Sequence, residues 1–176
     1  MVIGVKLRLM IAQFKKFSIL IGLLAALAFS LFNKPAAPEV TFTTITGQKI
    51  SMASLKGKVV LVSFWATDCR SCNKEMPDLI NTYNAYKAKG FEMIAVAMPY
   101  DPPAQLINYV TQKNLPFPVM HDGFSEVTQA FGGINATPTA FLFDRNGKRL
   151  QKTVGILDFI QLRAALDEEL KVKELG

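Results

Sequence analysis

The chain has 176 residues, half of them hydrophobic, which suffices for one folded domain with an appendage and excludes a wholly disordered protein. Its net charge of +6 is concentrated before Glu39, where five Lys and Arg residues stand without an acid, while the remainder carries 15 Lys and Arg against 14 Asp and Glu. That balance argues against a nucleic-acid-binding surface. Two Cys and one His are too few for a disulfide scaffold or a closed Cys/His zinc site.

A basic leader with an apolar centre opens the chain. Residues 17–32 form an uncharged apolar run directly after Lys15 and Lys16, slightly shorter than the roughly 20 helical residues that span a bilayer. We interpret residues 1–33 as a leader with a transmembrane signal-anchor; a cleaved signal peptide and an organelle-targeting presequence are the alternatives. An anchor predicts a single-pass protein of the inner (cytoplasmic) membrane, with its body on the periplasmic or extracytoplasmic side. Disulfide chemistry is normal in that compartment.

Behind the leader we expect a short Pro/Ala linker, residues 34–40, and one domain over residues 41–176. The domain begins with a predicted β-hairpin over residues 42–50. Apolar runs predict strands, and apolar residues at helical spacing predict helices. The predicted strands are residues 59–65, 93–98, 117–120, 138–143 and 149–154, and the predicted helices are residues 70–89, 102–114, 125–131 and a last helix from Asp158. This alternating order predicts an α/β fold, a mixed central sheet with helices on both faces.

The two cysteines stand where a buried strand turns into an amphipathic helix. Cys69 and Cys72 form a CxxC motif in the first turn of that helix, where unpaired N–H groups and the helix dipole favour a thiolate. We therefore predict that Cys69 is the nucleophile and that Cys72, one turn further on, is the resolving thiol. A zinc half-site, a structural disulfide and two unrelated buried thiols are the alternatives.

Residues 63–77, with the sequence SFWATDCRSCNKEMP, closely resemble the active-site stretch of TlpA/ResA-like proteins, which are membrane-anchored and of the cytochrome-c-maturation type. The resemblance covers about residues 42–170 and implies a thioredoxin-like fold. It implies that Pro138 is cis and packs beside the CxxC motif. It also places Trp65, Thr137 and Pro138 among the substrate-binding residues, with the backbone at Thr137 pairing with an extended substrate.

Glu75 follows Cys72 by three residues, so the two side chains share a helix face. General thioredoxins carry a buried Asp six residues before the first Cys, where this chain has Ser63. In the resembled group, a glutamate at the place of Glu75 is the partly buried carboxylate that exchanges a proton with the resolving thiol. The alternative is a surface glutamate that pairs with Lys74.

Two positions depart from the pattern of the resembled group. Asp68 stands where Trp is usual and Ser71 where Pro is common. The dipeptide between the cysteines strongly influences the redox potential, so the sequence does not establish the direction of electron flow. His121 is expected at a strand end as an exposed residue and not as a metal ligand.

The sequence therefore predicts a thiol–disulfide oxidoreductase that acts as a reductase of exported proteins. The redox-active Cys69–Cys72 disulfide serves as its only redox group, with no separate cofactor. Expected partners are exported proteins such as apocytochrome c, a membrane thiol-transfer electron donor and the membrane itself through the N-terminal helix, but no nucleic acid. A thiol peroxidase of the peroxiredoxin type, and a metal-delivery or assembly factor that uses the two thiols as ligands, are the alternatives.

Overall fold

The computed structural model describes residues 34–171, together with residues 19 and 21–23. No helix within these residues is both long and apolar enough to span a bilayer. Most of the apolar run at residues 17–32 lies outside the described residues. The signal-anchor and the cleaved signal peptide therefore both stay predictions.

The described body alternates strands and helices in the predicted order. The strands are β1 (Thr41–Thr43), β2 (Lys49–Ser51), β3 (Val59–Trp65), β4 (Phe91–Ala97), β5 (Val119–His121), β6 (Thr139–Phe143) and β7 (Arg149–Val154). The helices are α1 (Arg70–Tyr86), α2 (Pro103–Lys113), α3 (Glu126–Ala130) and α4 (Phe159–Lys171), with short 3₁₀ turns at Met52–Leu55 and Lys87–Lys89. Asp158 accepts hydrogen bonds from the N–H groups of Ile160 and Gln161, which confirms the predicted cap of the last helix.

The central sheet has the order β5-β4-β3-β6-β7. β3 pairs in parallel with β4, and β4 with β5, whereas β6 is antiparallel to both β3 and β7. This is the mixed sheet that the sequence predicts. Since β3, β4, β5 and β7 all run in the same direction, their carboxyl ends and the start of β6 meet at one edge of the sheet.

The residues of β3 alternate between two apolar cores, and all seven are buried. Leu61 faces α1, α2 and α4 in one core, and Val62 faces α3 and the N-terminal β1–β2 hairpin in the other. Covering both faces requires a nearly continuous apolar strand, which explains its composition. The prediction of helices on both faces is confirmed.

Three element boundaries differ from the sequence-based expectation by two or more residues. β4 begins at Phe91 instead of residue 93. The charged Glu92 can lie within the strand because its carboxylate accepts hydrogen bonds from the ammonium group of Lys58 and from the hydroxyl of Tyr83. β5 begins at Val119 instead of residue 117, after Pro118, which has no N–H to donate. The first helix is α-helical only to Tyr86, and the expected remainder is a 3₁₀ turn that ends at Gly90 with φ of +103°.

Part of the predicted linker packs on the body. The N–H of Ala37 donates to the carbonyl oxygen of Gly147 at 2.8 Å, and Ala36 forms a β-bridge with Lys148. Val40 packs against the core beside the hairpin. Ala36 and Ala37 are thus anchored to the turn between β6 and β7 by backbone hydrogen bonds, which composition alone does not reveal.

Candidate active site around Cys69 and Cys72

The CxxC motif lies where β3 ends and α1 begins, as predicted. Cys69 is the N-cap of α1, and a disulfide joins it to Cys72 with a Cα–Cα distance of 5.3 Å. Cys69 is half-buried, whereas Cys72 is only 1% exposed. The first sulfur is therefore the accessible one, which favours Cys69 as the attacking thiol and Cys72 as the resolving thiol.

The surroundings of Cys69 favour a negative charge on its sulfur after reduction. Its Sγ accepts a hydrogen bond from the N–H of Cys72 at 3.2 Å, and the hydroxyl of Ser71 lies 3.4 Å away. Both groups stand at the positive end of the α1 dipole. Ser71, which replaces the Pro of the resembled group, therefore supplies a hydrogen-bond donor that a Pro cannot.

Glu75 is a buried acid on the Cys72 face of α1. It is 2% exposed, and its Oε2 accepts a hydrogen bond from the N–H of Leu157 at 3.0 Å. Burial raises the pKa of Glu75 above its ordinary value, an effect that the hydrogen bond from Leu157 partly opposes. Its burial rules out the alternative of a surface glutamate paired with Lys74.

Replacing Glu75 by Gln removes a titration that weakens the fold as pH rises. Between the ordinary glutamate pKa of about 4.3 and the raised native pKa, the folded protein holds a proton that the unfolded chain has released. The free energy of unfolding therefore falls as pH rises through that window. We expect the wild-type value, relative to the Glu75→Gln value, to fall across the window and then level off. Urea titrations between about pH 4 and pH 8 measure this difference, and a constant difference contradicts it.

The same two proteins, once reduced, test whether Glu75 acts on the cysteines. An ionised carboxylate near Cys72 disfavours a second negative charge, so Glu75→Gln should lower the apparent pKa of the coupled thiols. The measurement is the rate of thiol alkylation against pH. Superimposable profiles would show that Glu75 contributes to the fold but not to the titration of the thiols.

The Thr137–Pro138 peptide bond is cis, as the resemblance implies. Pro138 is buried at the start of β6, and Thr137 is half-buried. Thr137 lines the same open groove as Cys69. The structure thus places Thr137 where a substrate bound at Cys69 can reach it, and its pairing role stays a prediction.

Trp65 lies in the core and not at the surface. Its side chain is 1% exposed, and its ring centroid is 5.1 Å from that of Tyr109. The last residue of β3 points to the α1 face of the sheet, because side chains alternate along a strand. This geometry does not place Trp65 where a substrate could contact it. The indole instead packs in the core, behind the strand that carries the motif.

Sequence reasoning missed the residues that hold the loop before Cys69. The carboxyl group of Asp101, 1% exposed, accepts hydrogen bonds from the N–H of Thr67 at 2.9 Å and from the Thr67 hydroxyl. The amide of Asn73 donates to the carbonyl oxygen of Thr67 at 2.9 Å. The one available signal was an acid four residues after a buried strand, because the carboxyl ends of parallel strands meet at one edge.

A second buried aspartate, after β5, accepts hydrogen bonds of the same kind. Asp122, 3% exposed, accepts hydrogen bonds from the N–H groups of Val127 and Thr128 and from the Thr128 hydroxyl. It fixes the start of α3. Asp122 thus resembles Asp101 in its chemistry but holds an element that carries neither cysteine.

An open groove of about 600 Å³ surrounds the exposed side of Cys69. It is lined by Asp68, Cys69, Arg70, Ser71, Lys74, Tyr100, Thr137 and Ile156. His121 ends β5 as predicted, but it is half-buried and not exposed as expected. In the part of the chain that the structure describes, no three His, Cys, Asp or Glu side chains cluster in a way that could hold a metal ion.

Comparison with known proteins identifies the family. The redoxin family model matches residues 33–159. The thiol–disulfide oxidoreductase ResA of Bacillus thuringiensis subsp. konkukian is 38% identical over 135 residues, which cover 77% of this chain and 75% of that protein. The chain belongs to the redoxin family, as a TlpA/ResA-like thiol–disulfide oxidoreductase. The predicted enzyme class is thereby confirmed.

A second relative and a solved structure agree with this assignment. ResA of Bacillus subtilis is 30% identical over 155 residues, covering 82% of this chain and 86% of that protein. The crystal structure of a thioredoxin-family thiol:disulfide interchange protein from Chlorobium tepidum superposes with a TM-score of 0.72, at 29% identity, and covers 78% of this chain and 97% of that one. The predicted thioredoxin-like fold is confirmed for the domain.

Proposed function

We propose that this oxidoreductase works outside the cytoplasm as a membrane-anchored reductase of disulfides in exported proteins, apocytochrome c among them. The observation that carries the proposal is the half-buried Cys69, placed at a helix N-terminus and open to a groove, with Cys72 buried behind it. The basic leader with its apolar run supports export. The resemblance to the cytochrome-c-maturation group supports the substrate.

The reaction uses the two thiols in sequence. The Cys69 thiolate attacks a substrate disulfide, forms a mixed disulfide and releases the first substrate sulfur as a thiolate, which takes a proton from water. Glu75 accepts the proton of Cys72, whose thiolate then attacks the sulfur of Cys69. The second substrate sulfur leaves as a thiolate and takes up the proton that Glu75 received, and the Cys69–Cys72 disulfide is restored. Two electrons and two protons reach the substrate, and a membrane thiol-transfer donor reduces the chain again.

Export is tested with a reporter enzyme, fused after Gly176, that is active only when it folds outside the cytoplasm. We expect high reporter activity in the membrane fraction, because the leader carries the body across. A matched fusion without residues 1–33 should be inactive. Full-length protein recovered in the cytoplasm would refute the proposed compartment.

The substrate class is tested with the reduced protein and a disulfide-bonded peptide that carries the haem-site cysteines of apocytochrome c. Stoichiometric formation of peptide thiols supports a reductase. The peroxidase alternative predicts instead that the reduced protein consumes peroxide rapidly and leaves the peptide oxidised.

A further inference from the structure

Two cations occupy the start of α1, where the helix dipole disfavours positive charge. Arg70 is the first residue of the helix and Lys74 follows four residues later, so the two like charges share one face. The first turn contains no acid, and neither cation forms an ion pair within residues 34–171. Both side chains are exposed. This arrangement weakens the helix, which indicates a role other than stability.

Both cations line the groove at Cys69, together with the carboxylate of Asp68. Two positive charges against one negative charge leave the groove with a net charge of +1. Because a positively charged groove attracts negatively charged ligands, acidic segments should reach Cys69 faster than basic ones.

The groove is apolar on both sides of Cys69. Tyr100 follows β4 on one side and is 60% exposed, and Ile156 follows β7 on the other and is 48% exposed. The order β4-β3-β6-β7 separates these positions by three strand spacings, or about 14 Å. An extended segment of about five residues covers that distance at roughly 3.3 Å per residue. One short segment can therefore contact both apolar side chains while its central cysteine faces Cys69.

From this geometry we infer that the groove selects partner segments with a bulky apolar side chain on each side of the reactive cysteine and a carboxylate beside it. Tyr100 and Ile156 receive the apolar side chains, and Arg70 and Lys74 attract the carboxylate. This inference rests on the proposed function, because it names the class of protein disulfide that the reductase prefers.

The test uses the reduced full-length chain in detergent and synthetic peptides whose central cysteine is blocked as a mixed disulfide with a small thiol. One peptide carries Leu on both sides and Glu beside the cysteine, a second has Lys in place of Glu, and a third has Gln. Each rate constant is divided by the rate with neutral 2-mercaptoethanol, which removes the intrinsic reactivity of the peptide. We expect the acidic peptide to react roughly tenfold faster than the basic one at low salt, and this ratio to approach one at high salt.

Variants assign the preference to residues. Lys74→Gln should bring the ratio of acidic to basic rates close to one, and Lys74→Glu should reverse it. Lys113→Gln, which removes an exposed cation from the end of α2 and lies outside the groove, should keep the wild-type ratio. A further peptide carries Ala in place of both Leu residues. Tyr100→Ala should reduce the ratio of the Leu-flanked to the Ala-flanked rate constant by about fivefold. Using ratios within each variant cancels any change in the reactivity of Cys69 itself.

The outcomes separate the two proposals. If the wild type reduces the Gln peptide but shows equal normalised rates for the acidic and basic peptides, the inference is overturned and the proposed function stands. If none of the peptides is reduced, both are overturned. A wild-type preference that Lys113→Gln lowers as much as Lys74→Gln does would assign it to overall charge and overturn the role of the groove.

Discussion

Replacing Cys69 by Ser is expected to abolish disulfide exchange, a loss on the order of 10³-fold or more. The replacement removes the only accessible sulfur of the pair, since Cys72 is 1% exposed. It also removes the atom that benefits from the helix N-terminus. Replacing Cys72 by Ser should instead leave the attack intact and trap a covalent complex, because no second thiol remains to release the partner.

The measurement is a pull-down under non-reducing conditions, followed by reduction of the captured complexes. We expect Cys72→Ser to accumulate mixed disulfides, and Cys69→Ser and the double variant to accumulate none. Ser replacements are the matched controls, because they keep the size of the side chain and the N-cap function at position 69. Complexes trapped by Cys69→Ser and absent from Cys72→Ser would reverse the assignment of the two thiols.

Replacing Asp101 by Ala is expected to lower the free energy of unfolding by about 2–3 kcal/mol, because it leaves the N–H and hydroxyl of Thr67 buried without partners. The rate of exchange should also fall, by roughly 10- to 100-fold, since Thr67 lies two residues before the reactive cysteine and small displacements of reacting atoms are costly. Urea denaturation gives the stability. The exchange rate is measured at a temperature at which the variant is folded.

Asp122 provides the control, because it makes the same kind of hydrogen bonds to a backbone N–H and a Thr hydroxyl at the start of α3. Asp122→Ala should lose similar stability but keep the exchange rate of the folded protein. Asp101→Asn is the milder companion if the Ala variant does not fold. Equal exchange rates in the two Ala variants would show that Asp101 acts through global stability alone.

Much of the fold could be predicted from local patterns. The apolar run of β3, the helical spacing of Met76 and Leu79, and the Asn146-Gly147 turn each reflect a period or a turn preference set within a few residues. The strand–CxxC–helix junction is equally local, because two positions three residues apart at the start of a helix lie side by side wherever the helix packs. The cysteine pair and the order of strands and helices along the chain followed from these features.

Which side chains are buried, and which groups they form hydrogen bonds with, depended on residues distant in sequence. Glu75 is buried because the loop at Leu157, 82 residues away, covers it and donates a hydrogen bond. Asp101 reaches Thr67 across 34 residues. Trp65 was expected among the substrate-binding residues, yet its side chain lies in the core against Tyr109. Periodicity shows which face of an element is apolar, but it does not show which other element will cover that face.

The sequence by itself determined the reactive chemistry: two thiols at a helix start, a nearby acid one turn later, and the strands and helices that carry them. Only the tertiary structure decided which of those groups reach solvent and what surrounds them. Tyr100, Thr137 and Ile156 come from three separate loops and meet Cys69 at one sheet edge. Their meeting follows from strand order and direction, which arise from long-range packing of apolar faces, and no local pattern encodes it.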